Sequence, residues 1–294
     1  MRDFCFIFIL SNFTIMKILT IGDIHGDAKW KAITHGSIEN YNSWATACLH
    51  GAEPDSDYWN DCTFKKVDKI VFVGDYVDSF DATNVEILDN LKQIIEFKKI
   101  LGDRVVLLLG NHDIQYICSN LHYSGYRAAM KHDLYYIFME NIKHFKAAYE
   151  YGDTLWTHAG VTEGWLKSMR KEMFNTVRTR KISDVAEEQS YTLANEIQFA
   201  WELNLNSFFA NDALSGGVSL WAGPIWVRPK LLNEFAIADK HQVVGHTACT
   251  EPYWVECWRG EKLRKNFYTD CLYCTTDALL LTFENEKLVK EEII

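Results

Sequence analysis

Five short apolar runs each end in a residue that can ligate a cation. Ile70-Val71-Phe72-Val73-Gly74 stops at Asp75, and Asp78 follows three residues later. Lys17-Ile18-Leu19-Thr20-Ile21-Gly22 leads into Asp23 and His25, and Arg104-Val105-Val106-Leu107-Leu108-Leu109-Gly110 leads into Asn111, His112 and Asp113. Thr154-Leu155-Trp156-Thr157 ends in His158, and Gln242-Val243-Val244-Gly245 ends in His246. Aspartate, asparagine and histidine suit hard or borderline divalent cations, and there are enough of them for two ions. A buried strand that feeds such groups out of its C-terminal end places them where open α/β sheets carry out chemistry. Asp75 is the candidate centre. Any one Gly-Asp or Gly-Asn at a strand end is ordinary turn chemistry; the signal is that five occur.

The elements that must position these ends are legible in part. Thr83 and Glu86 have capping-box spacing, Val85, Leu88, Leu91 and Ile95 mark an apolar face, and Gly102 follows, which predicts a helix over 84–101. With strands at 70–74 and 104–109 this makes a parallel, right-handed βαβ unit, so Asp75 and Asn111 share one sheet edge. A short helix is expected over 27–35, followed by a polar connection over 36–69 that covers part of the site mouth. A helix over 134–148 would turn Ile137, Ile142 and Phe145 inward, and a helical insertion near 162–213 would lie over the site face. Residues 219–229 read as a rigid aromatic loop, and 267–269 and 278–283 as strands. There is no internal repeat.

A chain of 294 residues with 48% hydrophobic and 24% charged residues can bury one substantial core. We expect one domain over 16–294, with residues 1–15 an extension that is either a leader or precedes a start at Met16. The apolar run at 4–10 is too short to span a bilayer. A formal charge of −10 argues against nucleic-acid binding, which needs a Lys and Arg surplus. The eight cysteines have no framework spacing, so reduced thiols in a cytoplasmic protein are expected. Cys271-x-x-Cys274, with Cys249 and Cys257 upstream, raises the question of a zinc site, but irregular spacing and strand-like surroundings favour buried free thiols.

The ordered motifs Gly22-Asp23-x-His25-Gly26, Gly74-Asp75-x-Val77-Asp78, Gly110-Asn111-His112-Asp113, His158-Ala159-Gly160 and Gly245-His246-Thr247 resemble those of calcineurin-like metallophosphoesterases. The first two are most similar to the phosphoprotein phosphatase branch. The Trp-x-Arg loop resembles that of its bacterial and phage members. The resemblance spans roughly residues 16–286. It implies an α/β fold of two mixed β-sheets packed as a sandwich and flanked by helices. It also implies two divalent ions, Mn, Fe or Zn, with Asp23, His25 and Asp75 holding one, and Asp75, Asn111, His158 and His246 the other. A bridging carboxylate keeps such ions about 3.5–4 Å apart, with a hydroxide between them as nucleophile. By the same resemblance His112 is the general acid and Asp78 the carboxylate that orients it.

The chain also departs from the family pattern. After the second aspartate the branch continues with Arg-Gly, whereas this chain has Ser79-Phe80, so an expected phosphate clamp is missing and Arg228 is the remaining candidate. Asp113 stands where the branch has glutamate. Position 248 is Ala, where other phosphoesterases carry a further histidine. That absence favours the protein-phosphatase branch. The expected substrate is therefore a phosphorylated protein or small phosphoester. The alternatives are a dinucleoside-polyphosphate hydrolase or phosphodiesterase, with Trp221, Trp226 and Tyr253 stacking on a base, and a non-catalytic binding protein of the same fold.

Overall fold

The computed structural model describes residues 14–79, 81–118, 122–180, 192–211 and 217–294. The N-terminal run at 4–10, Phe80 and residues 181–191 and 212–213 of the expected insertion lie outside the described residues.

Two mixed sheets form the centre of the molecule, with strands numbered in chain order. The first runs β11 (Lys287–Ile293), β10 (Leu279–Glu284), β1 (Ile15–Ile21), β2 (Lys69–Phe72), β3 (Val105–Leu108), β4 (Phe145–Lys146). The second runs β5 (Tyr149–Tyr151), β6 (Thr154–Trp156), β7 (His241–Val244), β9 (Lys262–Tyr268), β8 (Tyr253–Arg259). Within the first sheet β1, β2 and β3 are parallel, with the two-residue β4 also parallel to β3, and within the second β6, β7 and β9 are parallel. Each sheet thus holds a parallel trio, which is the part that can deliver several loops to one edge.

The sheets meet through alternate side chains. Ile18, Val71 and Val106 from one trio pack with Trp156, Val243 and Phe267 from the other, all fully buried or nearly so. The indole N–H of Trp156 donates to Thr20 Oγ1 at 2.9 Å, satisfying both polar groups in the dry layer. Burying one such indole removes about 150–250 Å² from water, worth about 4–6 kcal/mol at ~25 cal/mol/Å².

Helix α3 (Asn84–Leu101) connects β2 and β3 and carries the full capping box, with Thr83 Oγ1 accepting from Glu86 N and Thr83 N donating to Glu86 Oε2. Its buried face is set by Ile87, Leu91, Ile94 and Ile95, whereas Val85 is 66% exposed. The cap fixes where the helix starts, and its rotation follows the sheet it packs on.

Three expectations about connections are corrected. The segment 36–69 contains a helix, α2 (Ile38–Leu49), that follows the short α1 (Lys29–His35). Tyr41, Trp44 and Phe64 of this segment close an aromatic cluster around His35 and Phe97. No residue of 36–69 lines the cavity beside the site, because this apolar side is turned into the core. Helix α4 (Asn111–Ile117) precedes α5 (Lys131–Asn141), which ends well before residue 148; Phe145 is buried in β4 rather than on a helix. Strands β8 and β11 were not expected. Of the 162–213 stretch, α6 (Glu163–Arg180) and α7 (Leu193–Glu202) are described, and α7 packs on β5 and β6. Among the described residues no helix is long and apolar enough to cross a membrane.

Candidate metal centre

Six strand ends converge on one edge, three from each sheet. From the first sheet β1 delivers Asp23 and His25, β2 delivers Asp75 and Asp78, and β3 runs into Asn111 at the start of α4. From the second, β6 delivers His158, β7 delivers His246 and β9 delivers Asp270. The turns that make this possible are tight. A Cβ on Gly110 would fall 2.1 Å from Asp75 Oδ1, and one on Gly245 would fall 1.8 Å from Asp23 Oδ1, so only glycine lets the carboxylates approach. His25, Asp75, Asp78 and His246 themselves adopt positive φ, between 42° and 66°. Strain of this kind, about 1–3 kcal/mol per residue, persists only where surrounding contacts impose it.

Those contacts are visible. Asp113 at 0% exposure accepts backbone N–H groups from Asp75, Tyr76 and Gly110, each at 2.8 Å, which ties the β2 loop to the β3 loop. The N–H of His112 donates to Asp75 Oδ1 at 2.9 Å, and the N–H of His246 donates to Asp23 Oδ2 at 2.9 Å. His25 Nδ1 lies 3.0 Å from Val77 O, and His158 Nδ1 lies 2.9 Å from Val73 O, so both rings are anchored by their outer nitrogen. Anchoring one nitrogen aims the other at the site.

Two groups of donor atoms result. Asp23, His25 and Asp75 each offer an atom within 4.8 Å of the others, and so do Asp75, His158 and His246. Asp75 belongs to both. Asn111 Oδ1 sits 3.0 Å from His158 Nε2 and 3.0 Å from His246 Nδ1, in the second group. Asp23 Oδ1 and His246 Nε2 are buried without a hydrogen-bond partner. A buried orphan on each group, one oxygen and one imidazole nitrogen, is what a cation would satisfy.

The electrostatics agree. Burial and the Asp270 and Asp75 charges push the Asp23 carboxyl well above the ordinary range. Burial also raises Asp75, but His158 and His112 outweigh it and hold that carboxyl well below the ordinary range. Burial, with the charges of His158 and Arg228, lowers His246 far below the usual imidazole value, leaving it neutral, whereas for His158 burial is outweighed by Asp75, which raises its imidazole, and it has to give up its proton to act as a ligand.

Beside this pair of groups, His112 Nδ1 lies 3.1 Å from Asp78 Oδ2. Asp78 is 1% exposed and also accepts from Gln115 Nε2 and from the Tyr116 hydroxyl. Burial works against a charged His112, yet Asp75 and Asp78 prevail and push its imidazole up to about 9. Arg228, the N-cap residue of α8 (Pro229–Phe235), places Nη1 at 3.2 Å from His246 O and 3.1 Å from Thr247 Oγ1, with Asp270, Asp23 and Asp75 as its electrostatic neighbours.

All nine residues expected at the site are therefore brought to one edge. The sequence reading missed Gln115 and Tyr116, whose i+3 and i+4 positions from His112 on α4 put them on the face that meets Asp78. It also missed Asp270, although Phe267-Tyr268-Thr269 followed by an aspartate repeats the strand-to-ligand pattern, without the preceding glycine. Cys271 is buried while Cys274 is exposed, and among the described residues no cysteine joins a group that could hold a metal ion.

Comparison of the fold finds similar solved structures at low identity. A cold-active protein-tyrosine phosphatase of the psychrophile Shewanella sp. is 17% identical, with a TM-score of 0.48, over 95% of this chain and 80% of its own. A metallophosphoesterase from Sphaerobacter thermophilus is 15% identical, with a TM-score of 0.37, over 95% and 88%. A protein serine/threonine phosphatase from Saccharomyces cerevisiae with similarity to human phosphatase PP5 is 12% identical, with a TM-score of 0.44, over 95% and 79%. No curated protein matches the sequence. The family model for calcineurin-like phosphoesterases matches residues 16–262, from the first core strand to the start of β9, and the chain belongs to that family.

Proposed function

We propose that the chain is a phosphomonoesterase of the Ser/Thr protein phosphatase type, with Asp23, His25 and Asp75 holding one divalent cation and Asp75, Asn111, His158 and His246 the other. When bound, two such ions supply a nucleophile from water near neutral pH and neutralise charge growing on the phosphoryl group. The chain's own residues do the rest. Arg228 presents a guanidinium to the phosphoryl oxygens, with its Nη1 fixed by His246 O and Thr247 Oγ1. His112 gives its proton to the departing oxygen, and Asp78 holds the ring in place and keeps it charged.

The observation that carries this reading is the charged His112–Asp78 pair, itself buttressed by Gln115 and Tyr116. A serine or threonine alkoxide is a poor leaving group and needs an acid; a nucleoside phosphate leaves without one. Of the three base platforms that a dinucleotide would need, Trp221 is 57% exposed, but the other two are poorly placed. Trp226 is 7% exposed and meets His246 edge-on at 5.5 Å, and Tyr253 is stacked on Tyr268 at 4.8 Å. A cavity of about 680 Å³ that opens beside His25 is lined by Asp27, Asp81, Glu86 and Asp89, with Lys31 the one lysine or arginine in its walls among the described residues. Such a wall repels polyphosphate and suits a peptide with basic residues.

The test is a rate comparison, with added Mn²⁺, on a phosphoserine peptide carrying flanking arginines, on diadenosine tetraphosphate and on a bis-aryl phosphodiester. The phosphopeptide should be turned over at least tenfold faster. Preference for the dinucleotide would replace this reading with the polyphosphate hydrolase.

A further inference from the structure

Asp78 is held from two directions by one residue that lies outside both donor groups. Its backbone adopts a φ of 65°, a left-handed conformation that a side-chain-bearing residue keeps only where neighbouring contacts impose it. Arg127 supplies such contacts. Nη2 of its guanidinium donates to Ser79 O, directly after Asp78, and to Ala82 O at 2.9 Å, while Nη1 donates at 2.7 Å to Oδ1 of Asn84, the first residue of α3. Its backbone N–H donates to the Tyr116 hydroxyl at 2.8 Å, and that hydroxyl in turn donates to Asp78 Oδ1. Burial and the Asp78 contact raise the Tyr116 phenol far above its ordinary value, so it stays a donor. The residues just before Arg127 also lie against the carboxylate. A Cβ on Gly125 would fall 3.2 Å from Asp78 Cβ, and Tyr123 N donates at 2.6 Å to Oε1 of Gln115, whose Nε2 donates to Asp78 Oδ2.

We infer that Arg127 is a positioning residue for proton delivery: it fixes Asp78 by its backbone and by its side chain, and through Asp78 it aims the imidazole of His112. Both terminal nitrogens of the guanidinium are engaged by protein acceptors, so the fork is committed to the turn that follows Asp78. Asp78 Oδ2 lies 3.1 Å from His112 Nδ1, which leaves the other ring nitrogen to meet the departing oxygen. A carboxylate that shifts carries the ring with it, and proton transfer in the transition state tolerates little misplacement. A planar fork that spans several acceptors holds a turn as a lysine cannot. The bland reading is that Arg127 only stitches a loop to the start of α3, in which case its loss lowers stability without changing which leaving groups depart.

The inference rests on the acid role given to His112, and leaving-group dependence separates the two. Arg127→Met, Arg127→Lys and Tyr116→Phe are assayed with Mn²⁺ beside the native chain and His112→Asn, on a phosphoserine peptide, whose alkoxide needs a proton, and on p-nitrophenyl phosphate, whose phenolate departs without one. In Arg127→Met, kcat on the phosphopeptide should fall about 10–100-fold with KM and metal content unchanged, while the rate on p-nitrophenyl phosphate stays within about twofold. Arg127→Lys, which keeps a cation but not the fork, should recover part of the loss. An equal loss on both substrates, or no loss on the phosphopeptide, would overturn the inference and leave the stitching role. If His112→Asn keeps its full rate on the phosphopeptide, the acid role falls and this inference with it; if His112→Asn is slow there and Arg127→Met is not, the inference alone falls. If Arg127→Met does not fold, Tyr116→Phe carries the test, since it removes only the hydroxyl between Arg127 N–H and Asp78. It should slow the phosphopeptide by about threefold or more and spare p-nitrophenyl phosphate, and a variant that treats both substrates alike would overturn the inference.

Discussion

His112 and Asp75 separate the two jobs that the site combines. Asp75 belongs to both donor groups, so Asp75→Asn should abolish binding of both ions together with turnover, read by metal content and by p-nitrophenyl phosphate hydrolysis. His112 contributes its ring to Asp78 and only its backbone N–H to Asp75. His112→Asn should therefore keep two metals and slow hydrolysis by about 10²–10⁴-fold on substrates with alkoxide leaving groups. Full rate on such a substrate would remove His112 from the acid role. Asp113 makes a third case. It touches no substrate, but its carboxylate accepts three backbone N–H groups that hold the β2 and β3 loops, and an amide would present an N–H to at least one of them. Asp113→Asn should cost about 1–3 kcal/mol in denaturant unfolding and weaken metal uptake with it. Residue types were the most legible part of the sequence, because a ligand must be a particular side chain at a strand end. Asp113 stood in the sequence only as a departure from the family's glutamate, because its partners are backbone amides, which carry no sequence signature.

Elements were legible where local chemistry fixes them and illegible where packing does. The Thr83–Glu86 box marked the start of α3, yet Val85 proved exposed and Ile87 buried, since the face is chosen by the sheet beneath. The stretch 36–69 looked polar because its apolar residues are few, but Tyr41, Trp44 and Phe64 are large and all point the same way, around His35. That cluster has a consequence for acid stability. His35 is 1% exposed, its Nε2 is buried without a partner, and burial lowers its imidazole to about 3 from the ordinary 6.5. The unfolded chain takes up a proton near pH 6.5 that the folded chain refuses until about pH 3, so stability from this group is complete above 6.5 and is lost as pH falls towards 3. His35→Phe should flatten the decline in melting temperature between pH 6.5 and 4 while changing little at pH 8. An equally steep decline in the variant would mean that other groups cause it.

At the scale of the whole molecule, the site is the seam between two sheets. The apolar layer of Trp156, Val71 and Phe267 holds their middles together, while the edge brings Asp23, Asp75 and Asp270 into one buried space. Without a cation those charges oppose closure, and burial raises the Asp23 and Asp270 carboxyls above their unfolded values. An acid whose folded value is raised stabilises the fold at low pH and loses that contribution as pH climbs through the folded value. The chelated protein should accordingly grow less stable from about pH 4 upwards on account of these two groups. Cation binding adds stability by mass action and removes the repulsion at the same time. The gap in melting temperature between Mn²⁺-loaded and chelated protein should therefore be wider at pH 8 than at pH 5.5, and Asp270→Asn, with one carboxylate fewer, should narrow it by raising the chelated form. A gap independent of pH would mean that the buried carboxylates are already neutralised by their protein partners, and that the two sheets close without help from a metal.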